Sequence, residues 1–179
     1  FPNIHEQVHN GSSSDADLMI NTSVYPVRNG STFFRFPYNT YNSLPKLMQK
    51  QGYSSLAIHP DKGSFWNWME ALKSIGFQKC LDSADFIIDE QIGLGLSDGS
   101  FLKQVAGIIP GLKQPFYVFM ITLTSHGPFD LPEKHRDLKL DAQIDKTKLG
   151  GYFQSIRYTD KHLGLFLSAL EREKLLDST

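Results

Sequence analysis

The run Phe116–Thr124 is almost continuously apolar and β-branched or aromatic. A strand of that kind needs cover on both faces, which a parallel sheet flanked by helices provides. A second strand, Ser54–Ile58, precedes it, and helical patterns alternate with the two. One helix is predicted from Ser43 to Gln51, with Leu44, Leu47 and Met48 on one face, Pro45 in the first turn and Gly52 as a stop. A second is predicted from Phe65 to Ile75, capped by Ser64 and ended at Gly76. The third, Asp98 to Ile108, rests on Phe101, Leu102, Val105 and Ile109 and is stopped by Pro110. The longest, Leu149 to Leu176, carries a stripe of Leu149, Tyr152/Phe153, Ile156, Leu163, Phe166/Leu167 and Leu170. Residues 128–148 read as a polar loop excursion. The fold class that follows is α/β: a mostly parallel sheet with helices on both faces, joined by right-handed crossovers.

Composition narrows the function classes. The 18 Lys+Arg and 19 Asp+Glu leave a formal net charge of -1, without the basic excess of a nucleic-acid module. Cys80 is the lone cysteine, which excludes an internal disulfide and any multi-cysteine metal site. The longest apolar run, Phe116–Leu123, falls far short of the ~20 residues of a membrane span, and no signal peptide is evident. A sequence that begins at Phe1 and stops at Thr179 directly after a helix reads as a piece of a longer protein.

In parallel sheets, ligands bind beyond the carboxyl ends of the strands. Three loops then become candidates. His59-Pro60-Asp61 runs on to Phe65-Trp66-Asn67-Trp68, and Ser125-His126-Gly127-Pro128-Phe129 follows the second strand. Near the start, Gly11-Ser12-Ser13-Ser14-Asp15-Ala16-Asp17 leads into Leu18-Met19-Ile20, and Ser14 with Asp17 fits a capping-box-like helix start. Ser13 would precede the first helical turn, where backbone amides and the helix dipole favour an anion and a developing alkoxide. Each loop alone has an ordinary structural explanation: a helix cap, hydrogen-bonded loop histidines, aromatic packing, a solvated Asp61.

In this order, however, the residues form one series. It runs Gln7, Gly11-x-Ser13-Ser14-Asp15-x-Asp17, Asn39-Thr40-Tyr41-x-Ser43-Leu44-Pro45, and Gln51-Gly52-Tyr53. It continues through His59-x-Asp61-x-x-x-Phe65-Trp66-Asn67, Pro115-Phe116-Tyr117, Ile121-Thr122-Leu123-Thr124-Ser125-His126-x-Pro128-Phe129 and Arg157-Tyr158-x-Asp160. The series resembles the lipoteichoic acid synthase and phosphoglycerol transferase branch of the sulfatase/alkaline-phosphatase superfamily. It implies that residues 1–179 are the central part of one sulfatase-like catalytic domain, with flanking parts and a membrane anchor outside the sequence.

The resemblance also implies an extracytoplasmic, cell-membrane enzyme that holds one divalent metal, usually Mn²⁺. Its partners would be a phosphatidylglycerol-like lipid and a glycerol, glycolipid or glucan acceptor, with no nucleic acid. By the same resemblance Ser13 stands where the nucleophile and metal ligand belongs, and His59, Asp61, Trp66 and His126 stand in the substrate pocket. Imidazole chemistry allows His126 to protonate a leaving group or orient a phosphate oxygen. Two phosphate-facing cations of the branch are replaced, by Ser12 and Trp68, so a related headgroup such as phosphoethanolamine stays open. The other metal ligands fall outside the chain. Glu6 and Asp15 match none of them, so the fragment itself is expected to bind metal poorly and to be inactive. A phosphate or sulfate ester hydrolase, and a non-catalytic glycolipid- or partner-binding descendant, remain as alternatives. No role is assigned to His5, His9, His135 or His162.

Overall fold

The structure, a computed structural model, describes residues 8–177. In chain order the first elements are α1 (Ser13–Thr22), α2 (Thr32–Arg35), α3 (Leu44–Lys50), β1 (Ser54–Ile58), α4 (Trp68–Ile75) and β2 (Lys79–Leu81). Then come β3 (Gln91–Ile92), β4 (Gly95–Leu96), α5 (Asp98–Ile108), β5 (Phe116–Met120), α6 (Ala142–Asp145) and α7 (Lys148–Arg172). The described residues divide into two compact units. One takes the chain up to Asp82 together with Lys113–Met120; the other takes Ser83–Leu112 and everything from Ile121 onward.

The first unit holds a parallel sheet of order β2-β1-β5, so the α/β reading holds. Leu56, Ala57 and Ile58 of the central strand β1 are almost wholly buried. Ala57, with Leu18 of α1, Phe33 of α2 and Trp68, Ala71, Leu72 and Ile75 of α4, makes the core cluster, and Tyr117 and Phe119 pack against it. Strand β5 is shorter than predicted and less covered. It ends at Met120, and all five of its residues are half-buried. Among the described strands it is paired on one edge only.

Two predicted helices change in detail. Helix α3 buries Pro45 and leaves Leu47 exposed, so its apolar face is not the one the periodicity indicates. The predicted helix Phe65–Ile75 is broken. Residues Phe65–Asn67 form a 3-10 turn in which Trp66 and Asn67 have positive φ (49° and 55°), and α4 begins only at Trp68. Two tethers hold the break: Trp68 Nε1 donates to Lys62 O at 3.0 Å, and Asn67 Nδ2 donates to Phe33 O at 2.9 Å. Burial of Trp68 in the core decides where the helix can start. The predicted end at Gly76 is observed, with φ 130° and its amide bonded to Leu72 O.

The second unit is built on α5 and α7 with the small antiparallel pair β3–β4. Helix α5 matches its prediction: Phe101, Leu102 and Val105 are buried, and the N-cap Ser97 accepts the Ser100 amide at 3.1 Å. Helix α7 buries only the Phe166 and Leu170 end of its predicted stripe. Leu149, Ile156, Leu163 and Leu167 of the predicted stripe are each more than two-fifths exposed, whereas Gly150, Gly151, Gln154, Ser155 and Tyr158 are buried with Phe166 and Leu170. The excursion 128–147 causes this. A Cβ on Gly150 would lie 2.2 Å from Ile144 O, and one on Gly151 2.8 Å from Phe129 O, so the loop approaches closer than any side chain permits. Gln154 then closes the contact, accepting the Leu138 amide at 3.0 Å and donating to Leu138 O at 2.8 Å.

Candidate functional site

Ser13 is the first residue of α1, and the cap before it is Ser12 at φ 48°. That turn leaves Ser13 exposed, and its hydroxyl has no hydrogen-bond partner among the described residues. Its neighbours are tied down. Ser14 Oγ donates to Gly11 O at 2.6 Å and lies 3.1 Å from Ser31 Oγ. Asp15, fully buried, accepts the amides of His9 (2.8 Å) and Gly11 (3.1 Å) on Oδ2. The capping pair is therefore not Ser14 with Asp17: the acid that reaches back is Asp15, three residues after Ser12. Asp17 is instead half-buried, and the loss of water around it pushes its pKa up to about 7.

His59 ends β1 nearly buried, its ring edge-on to Trp68 at 5.5 Å. Asp61, in the loop beyond, accepts the Lys62 amide at 2.7 Å. Trp66 is half-buried, 5.7 Å from the Phe34 ring and 6.4 Å from the Phe65 ring, and both of those rings are exposed. Trp68 lies in the core and takes no part in this aromatic surface.

Sequence reasoning missed the bracket that joins these turns. Helix α2 is only four residues long, yet it touches both: its cap Ser31 meets Ser14, its Phe33 carbonyl takes the Asn67 amide, and its Phe34 ring meets Trp66. The first unit thus brings the Ser13 turn and the Trp66 turn onto one short helix. No hydropathy period survives in so short an element, which is why it was invisible.

His126 belongs to the second unit. It is exposed, and its Nδ1 lies 2.7 Å from Gly127 O. A carbonyl only accepts, so Nδ1 carries a proton there, and Nε2 has no partner among the described residues. The segment before it is anchored by Asp98, which is fully buried. Asp98 Oδ1 accepts the amides of Leu123 and Thr124, both at 2.9 Å, and Oδ2 accepts from Thr159 Oγ1 at 2.6 Å. This carboxylate, too, went unnoticed in the sequence, where it reads as a first-turn helix acid. Of the six described non-glycine residues with positive φ, Ser12, Trp66, Asn67 and Phe129 fall in the three loops predicted to carry function. Strained backbone of this kind clusters where a fold must present particular groups.

His135 and His162 have structural surroundings. His135 Nε2 and Lys134 Nζ each lie 2.9 Å from Glu90 Oε1, and the ring of Tyr158 packs between the two histidines at 4.9 and 4.4 Å. Lys134 first, then His135 and Ser97, pull the Glu90 carboxyl down to about 2 against its partial burial. Being lowered from 4.5, it contributes stability that is fully present above that pH and is lost as pH falls toward 2. Glu90→Gln is expected to lower the unfolding midpoint at pH 7 and to flatten its fall between about pH 4.5 and 2. An unchanged acid limb in thermal scans would count against it. His9 is exposed and offers only its amide to Asp15; His5 and Glu6 lie outside the described residues.

The implied divalent metal finds no complete donor set here. Among the described residues no three His, Cys, Asp or Glu side chains gather. Asp15 Oδ1 is a buried oxygen without a partner, but it is wedged where a Cβ on Gly11 would sit, 2.0 Å away. Ser13 alone does not fit an ion that takes several oxygen or imidazole ligands. Calorimetry of this chain with Mn²⁺ is expected to give millimolar or weaker affinity; stoichiometric micromolar binding would refute that.

Comparison with known proteins bears on the family and the fold. The sequence model of the sulfatase family matches residues 4–179. Lipoteichoic acid synthase 1 of Bacillus subtilis is 38% identical over 182 residues, covering 100% of this chain, which spans 28% of that protein's length. The crystal structure of the lipoteichoic acid synthase LtaP from Listeria monocytogenes superposes with a TM-score of 0.90 at 28% identity, over 96% of this chain and 43% of that one. A protein in the alkaline phosphatase superfamily from Vibrio parahaemolyticus, at 17% identity, has a TM-score of 0.74 over 96% of this chain and 41% of its own. That last likeness speaks for the fold alone.

Proposed function

The chain belongs to the sulfatase family, and from that premise we propose that it is the central part of a single catalytic domain in an extracytoplasmic, membrane-anchored transferase. The enzyme moves glycerol phosphate, or a related phospho-headgroup, from a phospholipid phosphodiester to an acceptor hydroxyl. The observation that carries this reading is Ser13: an exposed hydroxyl without a partner among the described residues, at the start of a helix whose next two side chains, Ser14 and Asp15, are tied to backbone. Ser13 Oγ attacks phosphorus, the bond to the diacylglycerol oxygen breaks, and that oxygen takes up a proton. The acceptor hydroxyl then gives up its proton as its oxygen attacks phosphorus, the bond to Ser13 breaks, and Ser13 Oγ takes up a proton in turn. The dipole of α1 favours the phosphoryl charge at that position, while the Ser14 and Asp15 amides are already bonded to Gly11 O and Ser12 O.

His59, Asp61 and Trp66 are proposed to bind the headgroup. What supports Trp66 is its left-handed turn and the exposed Phe34 and Phe65 rings beside it. His126 is proposed as a substrate-binding residue on the family resemblance, with its Nε2 as the group that would serve. Manganese or another divalent ion is proposed for the whole protein, its other ligands coming from sequence outside this chain. The test uses a protein extended at both ends of this chain, supplied with Mn²⁺ and fluorescent phosphatidylglycerol. Release of diacylglycerol, with a product that changes when glycerol is added, is the expected outcome. Release with an unchanged product would establish a hydrolase, and no release with metal demonstrably bound would sink the headgroup assignment.

A further inference from the structure

Between α5 and α7 the second unit contains a cavity of about 480 Å³ that the chemistry above does not use. It falls within the ~300–1,000 Å³ typical of small-molecule sites. Its walls are small or apolar: Ala106 and Gly107 on α5 face Leu165, Phe166 and Ala169 on α7. A Cβ built on Gly107 meets nothing within 4 Å, so the space reaches the α5 backbone there. Two cations, Lys103 and Arg172, line the same cavity, with Glu173 as its one acid. Neither cation has a carboxylate within ion-pair reach among the described residues, whereas Lys134, Arg136, Arg157 and Lys161 in the same unit are all paired. His162 also lines the cavity, and burial holds its pKa below the ordinary histidine value, so it adds a neutral wall at pH 7.

We propose that this cavity binds a single-chain amphiphile with an anionic head, its chain against Phe166, Ala169 and Ala106 and its head between Lys103 and Arg172. The shared chemistry of the head is one phosphate or carboxylate. Charge-assisted bonds to an anion are the strong polar contacts available here, and the apolar walls reward removal of methylenes from water. The site does not depend on Ser13 chemistry, so it stands or falls apart from the transferase reading.

The test titrates dodecyl phosphate, dodecanoate, dodecyltrimethylammonium and inorganic phosphate into the 179-residue chain, all below micelle-forming concentration. Methyl NMR signals of Ala106 and Ala169 report on the cavity, and those of Ile156 and Leu163 on the exposed stripe of α7. Saturable shifts at Ala106 and Ala169 are expected with both anionic amphiphiles, at least about tenfold tighter than with the cationic one; the tighter anion names the head group. Lys103→Ala with Arg172→Ala should weaken the anions about tenfold or more and leave the cation unchanged. Gly107→Leu fills open space on a helix, improves helix propensity, and should abolish binding. Equal binding of the cationic amphiphile, binding of inorganic phosphate as tight as dodecyl phosphate, persistence in Gly107→Leu, or shifts confined to Ile156 and Leu163 would each overturn the proposal.

Discussion

Ser13→Ala, in a protein extended at both ends of this chain, is expected to abolish diacylglycerol release, with a loss of about 10³-fold or more. The neighbouring serines make the prediction sharp. Ser14→Ala removes a buried hydroxyl bonded to Gly11 O and facing Ser31, so its cost appears in stability at roughly 1 kcal/mol. Ser12→Ala touches a cap residue whose side chain makes no capping bond, and it should leave most of the activity in place. A pattern in which Ser13→Ala retains turnover while Ser12→Ala loses it would reassign the nucleophile. Equal losses from all three would mean that the turn is required only as a shape.

The second large effect belongs to Asp98. Asp98→Ala leaves the Leu123 and Thr124 amides buried without an acceptor and frees Thr159, so a loss of about 2–5 kcal/mol is expected. Thr159→Val breaks only one of these bonds and should cost about 1 kcal/mol, which keeps the test readable if the alanine variant does not fold. Urea midpoints at unchanged m-value measure both. The His126 ring signals should shift in Asp98→Ala and stay near their native positions in Thr159→Val, because Asp98 holds the two residues just before the Ser125-His126 turn. Native stability in Asp98→Ala would show that the amides find other acceptors and that Asp98 is not the anchor.

Legibility varied with the length over which each element repeats its signal. Strand β1 and helix α5 match their expected bounds, because an apolar run marks the one and an apolar stripe with a terminating Pro marks the other. The Ser13 turn, the Trp66 turn and the His126 turn were found from residue order, and the structure adds left-handed backbone at or beside each. What escaped was short or polar: α2, with four residues, and Asp98, whose three bonds reach residues 25 to 61 positions away. A single carboxylate leaves no periodic trace.

Helix α7 marks the boundary most clearly. Its existence and its start followed from local apolar density, which a chain carries wherever it goes, whereas its end comes at Arg172 and not at the expected Leu176. The face it buries did not follow, because that is settled by what the rest of the unit brings to it. Here residues 128–147 arrive as loop backbone and the short helix α6, whose Ile144 and Asp145 carbonyls come against Gly150. Glycines at 150 and 151 and the side-chain amide of Gln154 accommodate that approach, and Leu149, Ile156, Leu163 and Leu167 are left exposed on the same helix. Sequence alone therefore determined the parallel α/β class and the order of the three loops, since both rest on local patterns. Only the tertiary structure decided the buried face of α7, the break before Trp68 and the bracket formed by α2, since each is a contact between segments far apart in the chain.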